Sequence, residues 1–292
     1  MSDFPAVHER IRLALVEDLS TSGDVTTDAV FAADAQGTAY VVAKEPGIIC
    51  GGYIFAQVFA TLAYMMHCED YYPDPCVHIE RLKRDGARVQ PGDRVMNLRG
   101  PVRQLLAGER TALNFIQHLS GVATLVSKFV EVTAGRVKIC DTRKTTPLWR
   151  DLEKYAVACG GGLNHRRGLY DMIMLKDTHA DGAGSLAEAL NRVEPLRAKF
   201  KVAAEARNLD EVRAAIAANV NLLMLDNMDR ETLKQAVALV GGLIPTEITG
   251  GVNLATAAEL STLGVTRLSI GALTHSVKAL DFSMKLEMGN RE

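Results

Sequence analysis

Residues 141–147 read Asp-Thr-Arg-Lys-Thr-Thr-Pro, directly after the apolar run 137–140. The run has the length and character of a buried strand. It hands over to an acid, two adjacent cations and three hydroxyls before Pro147 closes the segment. A strand that ends in reactive polar groups marks the active-site end of an α/β protein. The same handover recurs downstream. Run 172–175 ends at Lys176, 202–204 at Glu205, 222–225 at Asp226, Ile248 at Thr249-Gly250-Gly251, and 268–270 at Gly271. Helical periodicity falls near 184–198, 208–219, 229–240 and 253–263. Later strand ends about 20–30 residues apart suit parallel βα units. Six such units exceed half of a (β/α)8 barrel and fit a barrel of slightly fewer strands. An open doubly wound sheet is the alternative, weakened by the lack of Gly-x-Gly-x-x-Gly after a first strand.

Toward the N-terminus the rhythm differs. An amphipathic helix is predicted over 5–19, with Val7, Ile11, Ala14 and Leu15 on one face and Pro5 in its first turn. Residues 20–24 break it. Strands are predicted over 37–44, 76–82 and 94–98, a largely buried helix over 53–66, and a turn at Gln90-Pro91-Gly92-Asp93. Strand and helix mix without a βα order, which predicts an α+β domain over 1–115, followed by a barrel-like domain over 116–275. Two helices, 101–119 and one running on from Ser120-Gly121 to about 133, join them.

The 292 residues are 48% hydrophobic and 23% charged, as in ordinary globular proteins, and suffice for a sizeable core. A formal net charge of −2 gives no bulk attraction to nucleic acid or an anionic membrane. No apolar run reaches the roughly 18 residues of a membrane span, and the first residues lack a basic-then-apolar signal region, so the cytoplasm is the expected location. Cys50, Cys68, Cys76, Cys140 and Cys159 are odd in number and form no Cys-x-x-Cys pair. They suggest neither a zinc site nor a disulfide framework.

In a parallel barrel the strand ends share one face, so the polar groups converge in three sets. Arg143, Lys144, Arg166 and Lys176, with His165, form a cationic set suited to carboxylates or phosphates. Surface salt bridges are the plainer alternative. Glu205 and Asp226 suit Mg2+ held partly by substrate phosphates, a cationic transition state, or simply counter-ions for the cations. Thr249-Gly250-Gly251 and Gly271-Ala272-Leu273-Thr274 let backbone N–H groups approach a phosphate, or merely turn the chain. Gly160-Gly161-Gly162 would let His165 and Arg166 reach over the mouth. His67, His179 and His275 lack metal-ligand spacing and read as structural, and Trp149 as packing. No nucleophile–base pair is evident, so charge stabilisation is the expected chemistry.

The segment 141–147 resembles the signature of quinolinate phosphoribosyltransferases. So do Glu-Asp-Leu and Gly-Asp-Val-Thr-Thr within 17–27, Glu-Arg-Thr-Ala-Leu-Asn-Phe at 109–115, Cys-Gly-Gly-Gly-Leu-Asn-His-Arg at 159–166, Leu-Asp-Asn-Met at 225–228 and Gly-Ala-Leu-Thr-His-Ser at 271–276. The resemblance implies an N-terminal α/β sandwich, a seven-stranded barrel-like domain, and a tail, 276–292, returning to the first domain. It implies a homodimer, or a hexamer of dimers, with shared active sites. The implied reaction joins quinolinate to the ribosyl group of 5-phosphoribosyl 1-pyrophosphate with Mg2+, releasing pyrophosphate and carbon dioxide and forming nicotinate mononucleotide in de novo NAD biosynthesis.

By the same resemblance Thr142, Arg143, Lys144, His165, Arg166 and Lys176 bind substrate, with Arg110 from the neighbouring subunit. Lys144, Glu205 and Asp226 are catalytic, and the two acids also face the metal. Thr249, Gly250, Gly251, Ile270, Gly271 and Ala272 cradle the 5′-phosphate. Three segments depart from the family pattern. Leu148-Trp149-Arg150 stands for Gly-Leu-Arg, Ala203-Ala204-Glu205 for Glu-Val-Glu, and Lys176-Asp177-Thr178-His179 for Lys-Glu-Asn-His. Molybdenum-associated paralogues with another acceptor, and a non-catalytic phosphate- or nucleotide-binding sensor, are the alternative readings.

Overall fold

The structure is a computed structural model that describes residues 7–66 and 77–287; Pro5, His67, Cys68 and Cys76 lie outside the described residues. The chain divides into two compact units, Met1–Thr124 with Val277–Glu292, and Leu125–Ser276.

In the first unit, helices α1 (Val7–Leu19) and α2 (Val25–Val30) precede strands β1 (Gln36–Ala43) and β2 (Gly47–Ile48). Helix α3 (Gly52–Met66) follows, then β3 (His78–Arg81), β4 (Arg88–Val89), β5 (Arg94–Pro101) and the long helix α4 (Val102–Val132). α2 starts because the Asp24 carboxylate accepts from the Thr27 N–H at 3.0 Å. α3 buries Ile54, Phe55, Val58, Phe59 and Leu62, each worth about 1.5–3 kcal/mol over exposure. Tyr53, Tyr64 and Met66 stay exposed, so the helix is buried on one wide face rather than all round. Gly108 lets α4 approach α3, since a Cβ there would sit 2.7 Å from the Phe59 ring. The expected break at Ser120-Gly121 is absent, and α4 runs through it. Ser120 Oγ instead accepts from the Cys50 N–H (2.9 Å) and donates to the Cys50 carbonyl (3.2 Å). Gly121 leaves room for the Lys278 carbonyl. Small polar residues therefore serve a close approach, not a helix end.

The last strand of the chain, β12 (Phe282–Glu287), pairs antiparallel with β1, giving the sheet order β12-β1-β5-β3. The boundary between the units lies within α4, at 124/125 rather than 115/116.

In the second unit, β6 (Lys138–Cys140), α5 (Arg150–Cys159), β7 (Ile173–Leu175), α6 (Asp177–Ala183) and α7 (Leu186–Val193) lead into β8 (Val202–Ala206). Then come α8 (Leu209–Ala217), β9 (Leu222–Asp226), α9 (Arg230–Val240), β10 (Thr246–Thr249), α10 (Leu254–Leu260), β11 (Arg267–Ser269) and α11 (Ala272–His275). Asn208, Asp229 and Asn253 cap α8, α9 and α10 through their side-chain oxygens. Six parallel strands pair in the order β6-β11-β10-β9-β8-β7. First strand thus pairs with last, as in a barrel. Leu163 makes a single parallel bridge to Cys140 where a further strand would stand. Six strands and one bridge therefore replace the expected seven strands, with no backbone ladder between Leu163 and β7 among the described residues. No helix among them is long and apolar enough to cross a membrane.

Candidate active site

One cavity of about 520 Å³ opens at the C-terminal ends of the six strands. Its lining includes Thr142, Arg143, Lys144, His165, Arg166, Lys176, Glu205, Asp226, 249–251 and 270–272. Every expected site residue but one is therefore gathered there. Arg110 is exposed on α4 in the first unit and is not among the lining residues.

The segment 141–147 is held from beneath. Asp141 is wholly buried and receives Lys154 Nζ at 2.6 Å and the His165 N–H at 2.8 Å. Lys154 Nζ also donates to the His165 carbonyl at 2.9 Å. Asn164, with its amide nitrogen facing the acceptors, donates to Asp141 Oδ2 at 2.7 Å. Burial pushes the Asp141 carboxyl up and the Lys154 ammonium down, and each group is the other's main counterweight. Arg150 ties two loops together by donating to Thr145 Oγ1, the Arg143 carbonyl and the Arg167 carbonyl. Glu153 accepts from the N–H and hydroxyl of Thr146. The cations of the segment are thereby presented on a rigid base, with Arg143 half-buried and Lys144 exposed. Thr274 Oγ1 donates to the Lys144 carbonyl at 2.7 Å.

Arg166 is nearly buried and donates to the Met172 carbonyl at 3.1 Å. Burial and the facing Arg143 draw its guanidinium below the usual range. Two facing cations are a site awaiting negative charge. Lys176 is ion-paired with Glu205 at 2.8 Å. The acid expected at the mouth therefore lies within β8, nearly buried, and already has a counter-ion. Asp226 ends β9 and receives the Asn227 amide at 3.2 Å on both oxygens. Gly250 (φ +84°) and Gly251 (φ +64°) turn the chain after β10. A Cβ on Gly250 would lie 2.1 Å from Asn227 Oδ1, so this turn requires glycine. A Cβ on Gly271 would lie 2.9 Å from Lys144 Cδ. Among the described residues no three His, Cys, Asp or Glu converge as a metal site. Glu205 and Asp226 offer carboxylate oxygens, so a hard cation there would take its other ligands from substrate oxygens or water.

Several residues escaped sequence reasoning. His275, expected to be structural, lines the cavity, and its Nδ1 lies 2.6 Å from Ser276 Oγ. His179 is structural: its Nδ1 accepts from the Lys176 N–H and caps α6. Lys154 sits in a helix not recognised beforehand. Glu247, fully buried in β10, meets Ser269 Oγ in a short hydrogen bond. A charged residue inside a strand that otherwise reads as buried was the available signal. Of the departures from the family pattern, Leu148 is 79% exposed with φ +66°, a left-handed conformation in which glycine is unstrained. Ala203 packs in an apolar cluster with Leu222 and Met224, joined by Met172 and Met174.

A parallel α/β sheet whose strand ends gather arginines, lysines, carboxylates and glycine turns around one cavity defines an enzyme for a multiply anionic substrate. Comparison with known proteins narrows this class. Residues 24–120 match the quinolinate phosphoribosyl transferase N-terminal domain and 122–285 its C-terminal domain. A probable nicotinate-nucleotide pyrophosphorylase [carboxylating] of Bacillus subtilis is 39% identical over 277 residues, covering 94% of this chain and 91% of the relative. The crystal structure of NadC from Streptococcus pyogenes superposes with a TM-score of 0.90 at 38% identity, over 99% of both chains. The nicotinate-nucleotide pyrophosphorylase of Francisella tularensis gives 0.89 at 37% identity, over 96% of both. The chain belongs to the quinolinate phosphoribosyl transferase family.

Proposed function

We propose that the protein is a carboxylating nicotinate-nucleotide pyrophosphorylase. It transfers the phosphoribosyl group of 5-phosphoribosyl 1-pyrophosphate to quinolinate and releases pyrophosphate and carbon dioxide, a step of de novo NAD biosynthesis. The observation that carries this reading is a single cavity lined by Arg143, Lys144, Arg166, Lys176, Glu205 and Asp226. Relatives that match over 94% and 96% of this chain and bear that activity in their names support it. They do not favour the molybdenum-associated paralogue or the non-catalytic sensor.

In this reading Thr142, Arg143, Arg166 and Lys176 hold the two carboxylates and neighbouring phosphate oxygens, and the His165 ring forms part of the wall against which the substrate packs. The backbone at 249–251 and 270–272 takes the 5′-phosphate. Positioning both substrates turns a bimolecular encounter into an effectively unimolecular one. As pyrophosphate departs, the ribose gains oxocarbenium character beside Glu205 and Asp226, whose negative charge stabilises it. The pyridine nitrogen attacks, and its new positive charge draws in the electrons of the adjacent C–carboxylate bond. Lys144, the exposed cation beside Gly271, is placed to neutralise the departing oxygens. Mg2+, held by Asp226 and Glu205 with substrate oxygens, would supply charge neutralisation of the pyrophosphate when bound. Arg110 of a second copy completes the site in a homodimer, alone or assembled into a hexamer. Residence in the cytoplasm is part of the same reading.

The test is quinolinate labelled in the lost carboxylate, incubated with the ribosyl donor and Mg2+. Labelled carbon dioxide and pyrophosphate should appear in equal amounts, and their absence refutes the activity. By calorimetry, Arg143→Ala and Lys176→Ala should each weaken quinolinate binding at least ten-fold while the fold is retained. Wild-type affinity in both would refute the assigned roles.

A further inference from the structure

Glu247 is not explained by substrate binding. It is 0% exposed, in the middle of β10, and no lysine or arginine lies within ion-pair distance of it among the described residues. A buried carboxyl without a bonded cation is disfavoured in its charged form. Its Oε1 accepts a short hydrogen bond from Ser269 Oγ, a bond that reverses when the carboxyl carries a proton and Ser269 gives up its own. Its Oε2 has no hydrogen-bond partner. Ser269 and His165 both line the cavity, so the buried carboxyl meets the cavity wall at two points. His165 Nδ1 accepts the Arg166 N–H at 2.7 Å. The proton of the neutral ring is therefore on Nε2, which lies 3.6 Å from Glu247 Oε1 and also lacks a hydrogen-bond partner. The unpaired Nε2–H thus faces the Glu247 carboxyl, slightly beyond hydrogen-bond reach.

Loss of carbon dioxide from the proposed substrate leaves an electron pair on a ring carbon, and a proton must replace the carboxylate. We propose that Glu247 stores that proton and Ser269 delivers it, with the His165 Nε2–H steadying the carboxylate left behind. The step is balanced. The Ser269 O–H bond breaks as the electron pair left by carbon dioxide takes up the proton in a new C–H bond. The Glu247 O–H bond breaks as the Ser269 hydroxyl is restored. A proton taken up from bulk solvent after product release, carried by water in the open cavity, reprotonates Glu247 through Ser269. Ser269 touches substrate and is catalytic in this scheme; Glu247 acts through it and is a positioning residue.

The surrounding charges fit a carboxyl that changes state near neutrality. Burial is the largest influence and raises Glu247 to about 7; the Ser269 bond and Arg267 on β11 oppose it, while Glu205 on β8 and Asp141 beyond β6 add to it. His165 is brought down to about 4 by burial, then by Lys154, Arg267 and Arg166, so it stays neutral while Glu247 titrates. The proton-bearing form of Glu247 is present below its pKa. Proton delivery should therefore slow as pH rises past about 7.

This inference rests on the proposed activity, and rapid-quench single turnovers of the full-length enzyme separate the two. Ribosyl transfer needs no proton, whereas product formation does. In Glu247→Gln and in Ser269→Ala, pyrophosphate should appear at the parent rate. Formation of the decarboxylated mononucleotide should fall about 100-fold or more and lose its decline above neutral pH. Parent-like product formation in either folded variant overturns the relay. So does an equal loss of pyrophosphate release and product formation, which would mark mere structural damage. If Glu247→Gln does not fold, Ser269→Ala decides alone. A parent enzyme that releases no pyrophosphate ends the proposed function and this inference together; a failing relay in an active parent ends only the relay.

Discussion

Lys154 shows how one buried charge holds together a loop that carries several exposed ones. Its ammonium joins Asp141 to the His165 carbonyl, and neither member of the ion pair reaches solvent. Removing one partner of such a pair leaves an uncompensated buried charge, a loss of about 3–5 kcal/mol. Lys154→Met should therefore lower unfolding stability by about that much, read from the urea midpoint at constant slope. A loss under 1 kcal/mol would mean that the pair contributes little. Sequence inspection had no means to find this residue. Lys154 lies on α5, among residues that look like any solvated helix face, and only the fold turns it inward. Asp141 was legible as polar at a strand end, but its inward role was not. It is not among the residues lining the active-site cavity and instead anchors those that are.

At the level of elements, the strand ends were the most legible feature. A run of apolar residues cut off by Lys176, Glu205 or Asp226 has one physical meaning in a parallel sheet, and those residues surround one cavity. Helix ends were less legible. Ser120-Gly121 has the composition of a break, yet a partner segment needs the space those small residues leave. The strand after β6 could not be foreseen as a single bridge, because Leu163 is flanked by glycines and polar groups that give no period. The turn after β10 offers a test at this scale. Gly250→Ala adds both backbone strain, about 1–3 kcal/mol, and a collision with Asn227, the neighbour of Asp226. Gly264→Ala adds similar strain at φ +86°, with the nearest atom 3.5 Å away on Val237. Gly250→Ala should lose at least as much stability as Gly264→Ala, and only Gly250→Ala should raise the KM for the ribosyl donor, by ten-fold or more in steady-state assays. Equal KM effects would deny the turn its phosphate role.

For the molecule as a whole, the two-unit organisation and mixed α/β class were readable from the change of rhythm near the start of the parallel strands. The exact division was not, since α4 continues unbroken through it. Arg110, on the same helix, is the expected site residue not found among the cavity residues. If a second copy supplies it, mixing Arg110→Ala subunits with Lys176→Ala subunits should restore part of the activity that each lacks alone. No recovery, with subunit exchange confirmed by mass, would assign each site to a single chain.

The sheet of the second unit has an unzipped side, between Leu163 and β7, and the Arg166 guanidinium reaches the Met172 carbonyl at that side. One side chain is thus both a rivet at the unpaired margin of the sheet and a wall of the cavity. An anion that immobilises Arg166 would stiffen that margin as well, so occupancy of the pocket and breathing of the sheet would be governed by the same guanidinium.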